Sequence, residues 1–84
     1  MKKQFNVMVE IPAKFAFGPV EKEISKVFGK NESGAGLGFG IRDIDAYYKT
    51  KKAAKNAVEK IKNILKAQNI GPSKSKVILT EIGE

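Results

Sequence analysis

The stretch SGAGLGFGIRDIDAYY, residues 33–48, decides the fold, because its apolar positions change phase part-way along. Glycine stands at every second position from Gly34 to Gly40 with apolar residues between, and this alternation predicts a β-strand. The apolar residues have odd residue numbers as far as Ile41 and even residue numbers from Ile44 onwards. A change of phase requires a turn or a bulge, so the stretch predicts either a two-stranded hairpin or one long kinked strand.

A two-residue turn at Arg42 and Asp43 gives the hairpin a self-consistent register in which apolar residues oppose each other on one face. The opposed pairs are then Ile41 with Ile44, Phe39 with Ala46, and Leu37 with Tyr48. In this register Tyr47 lies opposite Gly38 on the outer face, where its ring covers the glycine. Arg-Asp differs from the Asn-Gly and Asp-Gly pairs that such turns prefer, so a turn nearer residues 38–40 stays open.

The rest of the chain predicts two helices and two further strands. QFNVMVEI, residues 4–11, alternates as a half-buried strand, and Gly18-Pro19 opens a helix of about ten residues that stops at Gly29. Thr50 is the predicted N-cap of the longest helix, over residues 51–68, and VILTEI at residues 77–82 is the last strand. The predicted buried residues of the long helix are Ala54, Ala57, Val58, Ile61, Ile64 and Leu65.

These elements run in the order strand, helix, strand, strand, helix, strand, within a single domain over residues 1–84. The order predicts an α+β fold of the ferredoxin-like βαββαβ kind, a two-layer sandwich with two helices on one face of a four-stranded antiparallel sheet. If residues 36–48 form one long kinked strand, the sheet has three strands and the helices still cover one face.

The residue types that the chain lacks exclude most classes of enzyme. It has neither cysteine nor histidine, and therefore no thiol nucleophile, no thiolate or imidazole metal ligand and no ordinary near-neutral base. Asp43 and Asp45 would share a strand face, but a lone D-x-D pattern specifies a metal weakly, and the sequence leaves open whether they hold one. We predict a non-enzymatic protein with no catalytic residue, no metal site and no cofactor.

The chain is also expected to stay in solution. No segment reaches the roughly 18 uninterrupted apolar residues that a membrane-spanning helix needs. The absence of cysteine is compatible with a reducing compartment. We therefore expect a cytoplasmic protein with no membrane partner.

Lysine supplies most of the positive charge, and the predicted long helix carries much of it. Sixteen basic and nine acidic residues give a formal net charge of +7, which attracts polyanions. Arg42 is the single arginine, and lysine contacts phosphate as a point charge without the planar fork that reads bases. A helix face that is merely solvated has the same composition. We predict non-specific binding of nucleic acid or another polyanion by Lys51, Lys52, Lys55, Lys62 and Lys66.

GFGI, residues 38–41, resembles part of the RNA-recognition-motif signature, in which a basic residue and glycine precede alternating aromatics. Leu37 stands where that signature has its basic residue, and Ile41 where it has a second aromatic. The open sheet face would also carry Glu10, Asp43 and Asp45, which repel phosphate. We therefore do not expect RNA on the sheet.

The alternative function is a protein-interaction or inhibitor module that uses the glycine strand. Its predicted core face consists of Ala35, Leu37, Phe39 and Ile41, and its other face has no side chains. In a ferredoxin-like sheet this strand is an edge, to which a strand from a second copy or another protein can pair. The residues predicted to bind a partner are Gly34, Gly36, Gly38, Gly40 and Tyr47.

Overall fold

Four strands and two helices alternate along the chain. The structure, a computed structural model, describes residues 4–83. Its main elements are β1 (Gln4–Pro12), α1 (Pro19–Phe28), β2 (Glu32–Gly38), β3 (Ile41–Tyr48), α2 (Lys51–Ala67) and β4 (Lys76–Ile82). Single 3₁₀ turns precede α1 and β2. The protein is thus α+β, with the helices and strands in the predicted order.

The four strands form one antiparallel sheet in the order β2-β3-β1-β4. β2 and β3 pair as a hairpin, so the alternative of a three-stranded sheet with one long kinked strand is wrong. β1 and β3 lie in the centre, and β2 and β4 are the edges. The glycine strand is therefore an edge, as expected.

The hairpin turn lies at Phe39 and Gly40, so the predicted turn at Arg42 and Asp43 is wrong and the alternative of a turn nearer residues 38–40 is confirmed. Gly38 pairs with Ile41 across the turn, and every opposed pair of the predicted register is shifted. The φ angles of Phe39 and Gly40 are 52° and 76°. A two-residue turn of type I′ requires positive φ at both turn residues, and a glycine, which adopts it freely, stands at position 40 but at neither position 42 nor position 43.

One hydrophobic core lies between the helices and the inner face of the sheet. Alternate residues of β1 and β3 face it, and the predicted stripe on α2 is buried apart from Ile64, which is half-buried. Phe28 of α1 is the largest fully buried side chain, and its ring centroid lies 6.5 Å from that of Tyr48. The core thus ties both helices to β1 and β3, the two central strands.

Local chemistry sets the helix ends. Thr50 caps α2, because its Oγ1 accepts a hydrogen bond from the backbone N–H of Ala53 at 3.1 Å. Pro19 is the first residue of α1, where a missing N–H is harmless. Gly29 ends α1 with a φ of 53°, which a residue with a side chain adopts at a cost.

Candidate interaction surfaces

The solvent side of α2 is lined with lysine. Its exposed basic residues are Lys51, Lys52, Lys55, Lys60, Lys62 and Lys66. At about 100° per residue, four of them, at positions 51, 55, 62 and 66, follow one flank of the buried stripe over about 22 Å. No ion pair neutralises any of the six within residues 4–83. All five lysines predicted to bind a polyanion therefore share one exposed surface, which we call the lysine surface.

Three acidic side chains of the two central strands lie on the other side of the sheet, on its open face. Asp43 and Asp45 alternate with buried residues along β3, and Glu10 does so along β1. Glu10 lies directly opposite Asp43 on one side and Lys76 on the other. The Asn6 side-chain amide donates a hydrogen bond to Asp45 Oδ2 at 3.1 Å. The sheet thus separates a basic helix side from an open face that carries three carboxylates.

β2 pairs with β3 alone among the strands of residues 4–83, and both of its faces are exposed. Leu37 points to the side on which the helices lie, because it pairs with the buried Arg42, yet its side chain is 56% exposed. Ala35 is exposed on the same side. No strand within residues 4–83 pairs with the outer edge of β2. We call this edge, with its two uncovered faces, the free edge.

Two carboxylates lean across the glycines of β2. A Cβ built on Gly36 would lie 3.1 Å and 3.2 Å from the two carboxylate oxygens of Asp43. A Cβ on Gly34 would lie 3.3 Å from Asp45 Oδ1. These separations are tighter than ordinary van der Waals contact, so the missing side chains make room for the aspartates. The open face beside the free edge is therefore acidic, although β2 contributes no side chain to it.

Tyr47 does not cover the glycines, which corrects the predicted arrangement. It pairs with Asn6 of β1, and a Cβ on Gly38 would meet nothing within 4 Å. Gly40 lies in the turn, outside the strand. Of the five predicted partner-binding residues, Gly34, Gly36 and Gly38 lie along β2, Gly40 lies in the adjoining turn and Tyr47 lies on β3. The change follows directly from the position of the turn.

The turn also places an aromatic side chain in solvent. Phe39 is fully exposed at the tip of the hairpin, and Ile41, predicted on the core face, lies on the open face and is 41% exposed. A left-handed backbone costs about 1–2 kcal/mol for a residue other than glycine. The Phe39 ring recovers none of this cost by burial in the protein itself. Its position is therefore not explained by folding stability.

Phe39→Asn is expected to raise the free energy of unfolding by about 1 kcal/mol, because asparagine tolerates positive φ and Asn-Gly is a preferred pair for this turn. Urea denaturation of the two proteins measures the difference. Phe39→Ala is the matched control: it removes the same ring but keeps the strained backbone, so its stability should match the wild type. Lower stability of Phe39→Asn would contradict a two-residue turn at Phe39 and Gly40.

Arg42, predicted in the turn, instead forms a buried ion pair with α1. Its Nε and Nη2 each donate to a different oxygen of Glu21, both at 2.9 Å, and Arg42 is only 8% exposed. The guanidinium carbon lies 4.4 Å from the ring centroid of Phe17, whose N–H donates to Glu21 Oε1 at 2.7 Å. The hydrogen bonds from Arg42 are the main reason that the pKa of Glu21 lies below its ordinary value of 4.5. The single arginine therefore fixes α1 to the hairpin.

The described part of the chain has neither a cluster of metal-ligating side chains nor a membrane-spanning helix. Among residues 4–83, no three acidic, histidine or cysteine side chains are grouped so that they could hold a metal ion. Asp43 and Asp45 contact glycines and Asn6, as described above. No helix between residues 4 and 83 is long and apolar enough to cross a membrane.

Comparison with known proteins bears on the fold alone. A solved structure, "De novo designed protein Foldit4", superposes with a TM-score of 0.56 over 100% of this chain and 99% of that chain, at 11% sequence identity. At this identity the similarity extends to the backbone arrangement and not to function. No protein-family model matches the chain. No curated protein matches it either.

Proposed function

We propose that the chain is a ferredoxin-like, non-enzymatic binding module whose lysine surface binds nucleic acid without sequence specificity. The fold class is supported by the connections: β1 and β2 flank β3, and β3 and β4 flank β1, so each helix crosses over one intervening strand. Two interleaved crossovers of this kind are characteristic of the βαββαβ class.

The observation that carries the binding proposal is the separation of charge across the sheet. The lysine surface is exposed and free of ion pairs within residues 4–83, and the carboxylates of Glu10, Asp43 and Asp45 are on the far side of the sheet. A phosphate backbone can therefore approach α2 without meeting Asp43 or Asp45. Lysine without arginine favours phosphate contact over base readout. Nucleic acid is the proposed polyanion because its phosphates offer a repeating row of charges to a row of cations.

Replacing Lys55, Lys62 and Lys66 together by glutamate is expected to abolish binding to a mixed-sequence oligonucleotide. The wild-type affinity should fall about 100-fold between about 50 and 200 mM salt, as for roughly four phosphate contacts. Fluorescence anisotropy measures both effects. Thermal unfolding should change little, since all three side chains are exposed.

The matched control is the triple replacement of Lys14, Lys22 and Lys30 by glutamate. These exposed lysines lie outside α2, and their replacement changes the net charge by the same amount. It should leave most of the affinity intact. Equal losses in the two variants would mean that net charge, and not the lysine surface, governs binding. Unchanged binding in the α2 variant would refute the proposal.

A second candidate function is protein interaction through the free edge, and it is favoured by the exposure of β2 on both faces. Most sheet edges are protected by charged residues, proline or a covering element. β2 has no lysine or proline, and its residues from Gly34 to Gly38 are glycine, alanine and leucine. Such an edge accepts an added strand through main-chain hydrogen bonds. A second copy, another protein or the target of an inhibitor could supply that strand.

A further inference from the structure

We infer that the strand which pairs with the free edge comes from another protein and carries lysine or arginine at alternate positions. This inference rests on the second candidate function and adds the chemistry of the partner. In an added strand, alternate side chains point to opposite faces of the sheet. One set would lie over the open face beside Gly34, Gly36 and Gly38. The other set would lie on the helix side beside Ala35 and Leu37.

On the open face, the first side chains that the partner meets belong to β3. The added strand would lie about 9.6 Å from β3, which is two strand spacings. The Asp43 carboxylate already reaches within 3.1 Å of the Cβ position of Gly36, so it covers about half of that gap. Asp45 does the same at Gly34. The remaining distance, about 5 Å, is within the reach of a lysine or arginine side chain.

Asp43 has an acidic neighbour in the sheet before any partner binds, although Lys76 lies on the far side of that neighbour. It lies directly opposite Glu10 in the register, and like charges in opposed positions destabilise a sheet. No ion pair within residues 4–83 satisfies Asp43 or Asp45. A cation supplied by the partner would therefore form an ion pair and also reduce an existing repulsion. An acidic side chain in the same position would add to it.

On the helix side of β2, the added strand would carry apolar residues. Leu37 is 56% exposed there and Ala35 is exposed beside it, so apolar partner residues would bury apolar surface. The two faces together call for a strand in which basic and apolar residues alternate. The same charge argument disfavours a second copy of this chain. If the β2 strands of two copies paired antiparallel about Gly36, the Asp43 and Asp45 carboxylates of both copies would lie over the same paired glycines. These four carboxylates would repel each other.

Short synthetic peptides test the inference directly, with the backbone amide spectrum of the protein as the readout. A peptide of alternating lysine and valine is expected to shift and protect the amides of residues 34–38, and to bind about tenfold more tightly than its glutamate–valine counterpart. A peptide with the same lysines and valines in two blocks controls for charge alone and should leave residues 34–38 unperturbed. The free protein should be monomeric in sedimentation.

Variants of the protein test whether the carboxylates of Asp43 and Asp45 are what favours a basic peptide at the free edge. The double variant Asp43→Asn with Asp45→Asn should bind the lysine–valine peptide about tenfold more weakly than the wild type does. Its affinity for the glutamate–valine peptide should not fall. Gly36→Lys supplies a cation to Asp43 within the chain and should weaken the same peptide. Glu23→Gln with Glu59→Gln removes two exposed acids from the helices and should have no effect.

Two results would overturn the inference in different ways. Equal binding of the lysine and glutamate peptides at residues 34–38 would refute the basic partner but keep the free edge as a docking site. No perturbation of residues 34–38 by any peptide, or a dimer in which these residues are protected, would refute the inference of a basic strand from another protein. The first result leaves the second candidate function standing, and the absence of any response at the edge removes its support.

Discussion

Arg42→Met is expected to lower the free energy of unfolding by about 3 kcal/mol, because it leaves the Glu21 carboxylate largely buried without its partner. Both side chains are mostly buried, at 10% and 14% exposure, so water can replace the lost hydrogen bonds only in part. Urea denaturation at neutral pH measures the loss. Arg42→Met combined with Glu21→Met should regain most of the stability, because removing both charges avoids the unpaired carboxylate. Equal stability of the single and double variants would contradict a coupled pair.

The same pair gives stability a defined pH dependence. The pKa of Glu21 in the folded protein lies below 4.5, chiefly because Arg42 donates hydrogen bonds to it. A carboxyl whose pKa is lowered by folding binds its proton more readily in the unfolded chain. Its contribution is therefore complete above about pH 4.5 and is lost as the pH falls through the lower, folded pKa. Glu21→Gln should remove this part of the acid sensitivity, which unfolding curves at neutral and at acid pH compare.

Phe28→Ala is expected to lower the free energy of unfolding by about 4 kcal/mol, a larger effect than that of Arg42→Met. Phe28 is 1% exposed and packs against Tyr48, so its removal leaves a cavity between α1 and the sheet. A domain of this length has a total stability of about 4–13 kcal/mol, so the variant should be close to unfolded at 37 °C if the wild type lies at the lower end of that range.

Phe39→Ala is the matched control for that replacement. It deletes the same atoms from a fully exposed side chain, so no cavity forms and no buried surface is lost. The urea midpoint of Phe28→Ala should fall well below that of the wild type, and the midpoint of Phe39→Ala should not. A small effect of Phe28→Ala would mean that α1 contributes little to the core.

The regular elements were predictable because each repeats its pattern over many residues. The alternation of β1 and the helical spacing of α2 both continue long enough that no other structure satisfies them, and Thr50 marks the start of α2. The observed position of the turn was predicted only as the alternative, because Phe39 adopts a φ that its residue type disfavours. One shifted turn then moved Ile41 and Tyr47 away from their predicted neighbours.

The two candidate interaction surfaces also differ in how far the sequence predicted them. The lysine surface followed from helical spacing alone, and the order of the elements predicted that β2 is an edge. The exposure of Ala35 and Leu37 on the helix side was not predicted, because it depends on how far the helices extend over the sheet. Arg42 was assigned to the turn, although it stands in phase with Ile44, Ala46 and Tyr48 on the buried face of β3. That phase was the available signal for a buried arginine. Its partner Glu21 is distant in sequence, and only the tertiary structure identifies it.

Because the Asp43 and Asp45 side chains extend over the glycines of β2, two strands contribute to the surface at this edge of the sheet. β2 supplies the backbone that is open to pairing, and β3 supplies the side chains that stand over it. In the proposed interaction, substitutions at positions 43 and 45 would change the charge of this surface, whereas the main-chain groups that pair with the partner belong to β2. Selectivity and pairing would then reside on two different strands of the hairpin.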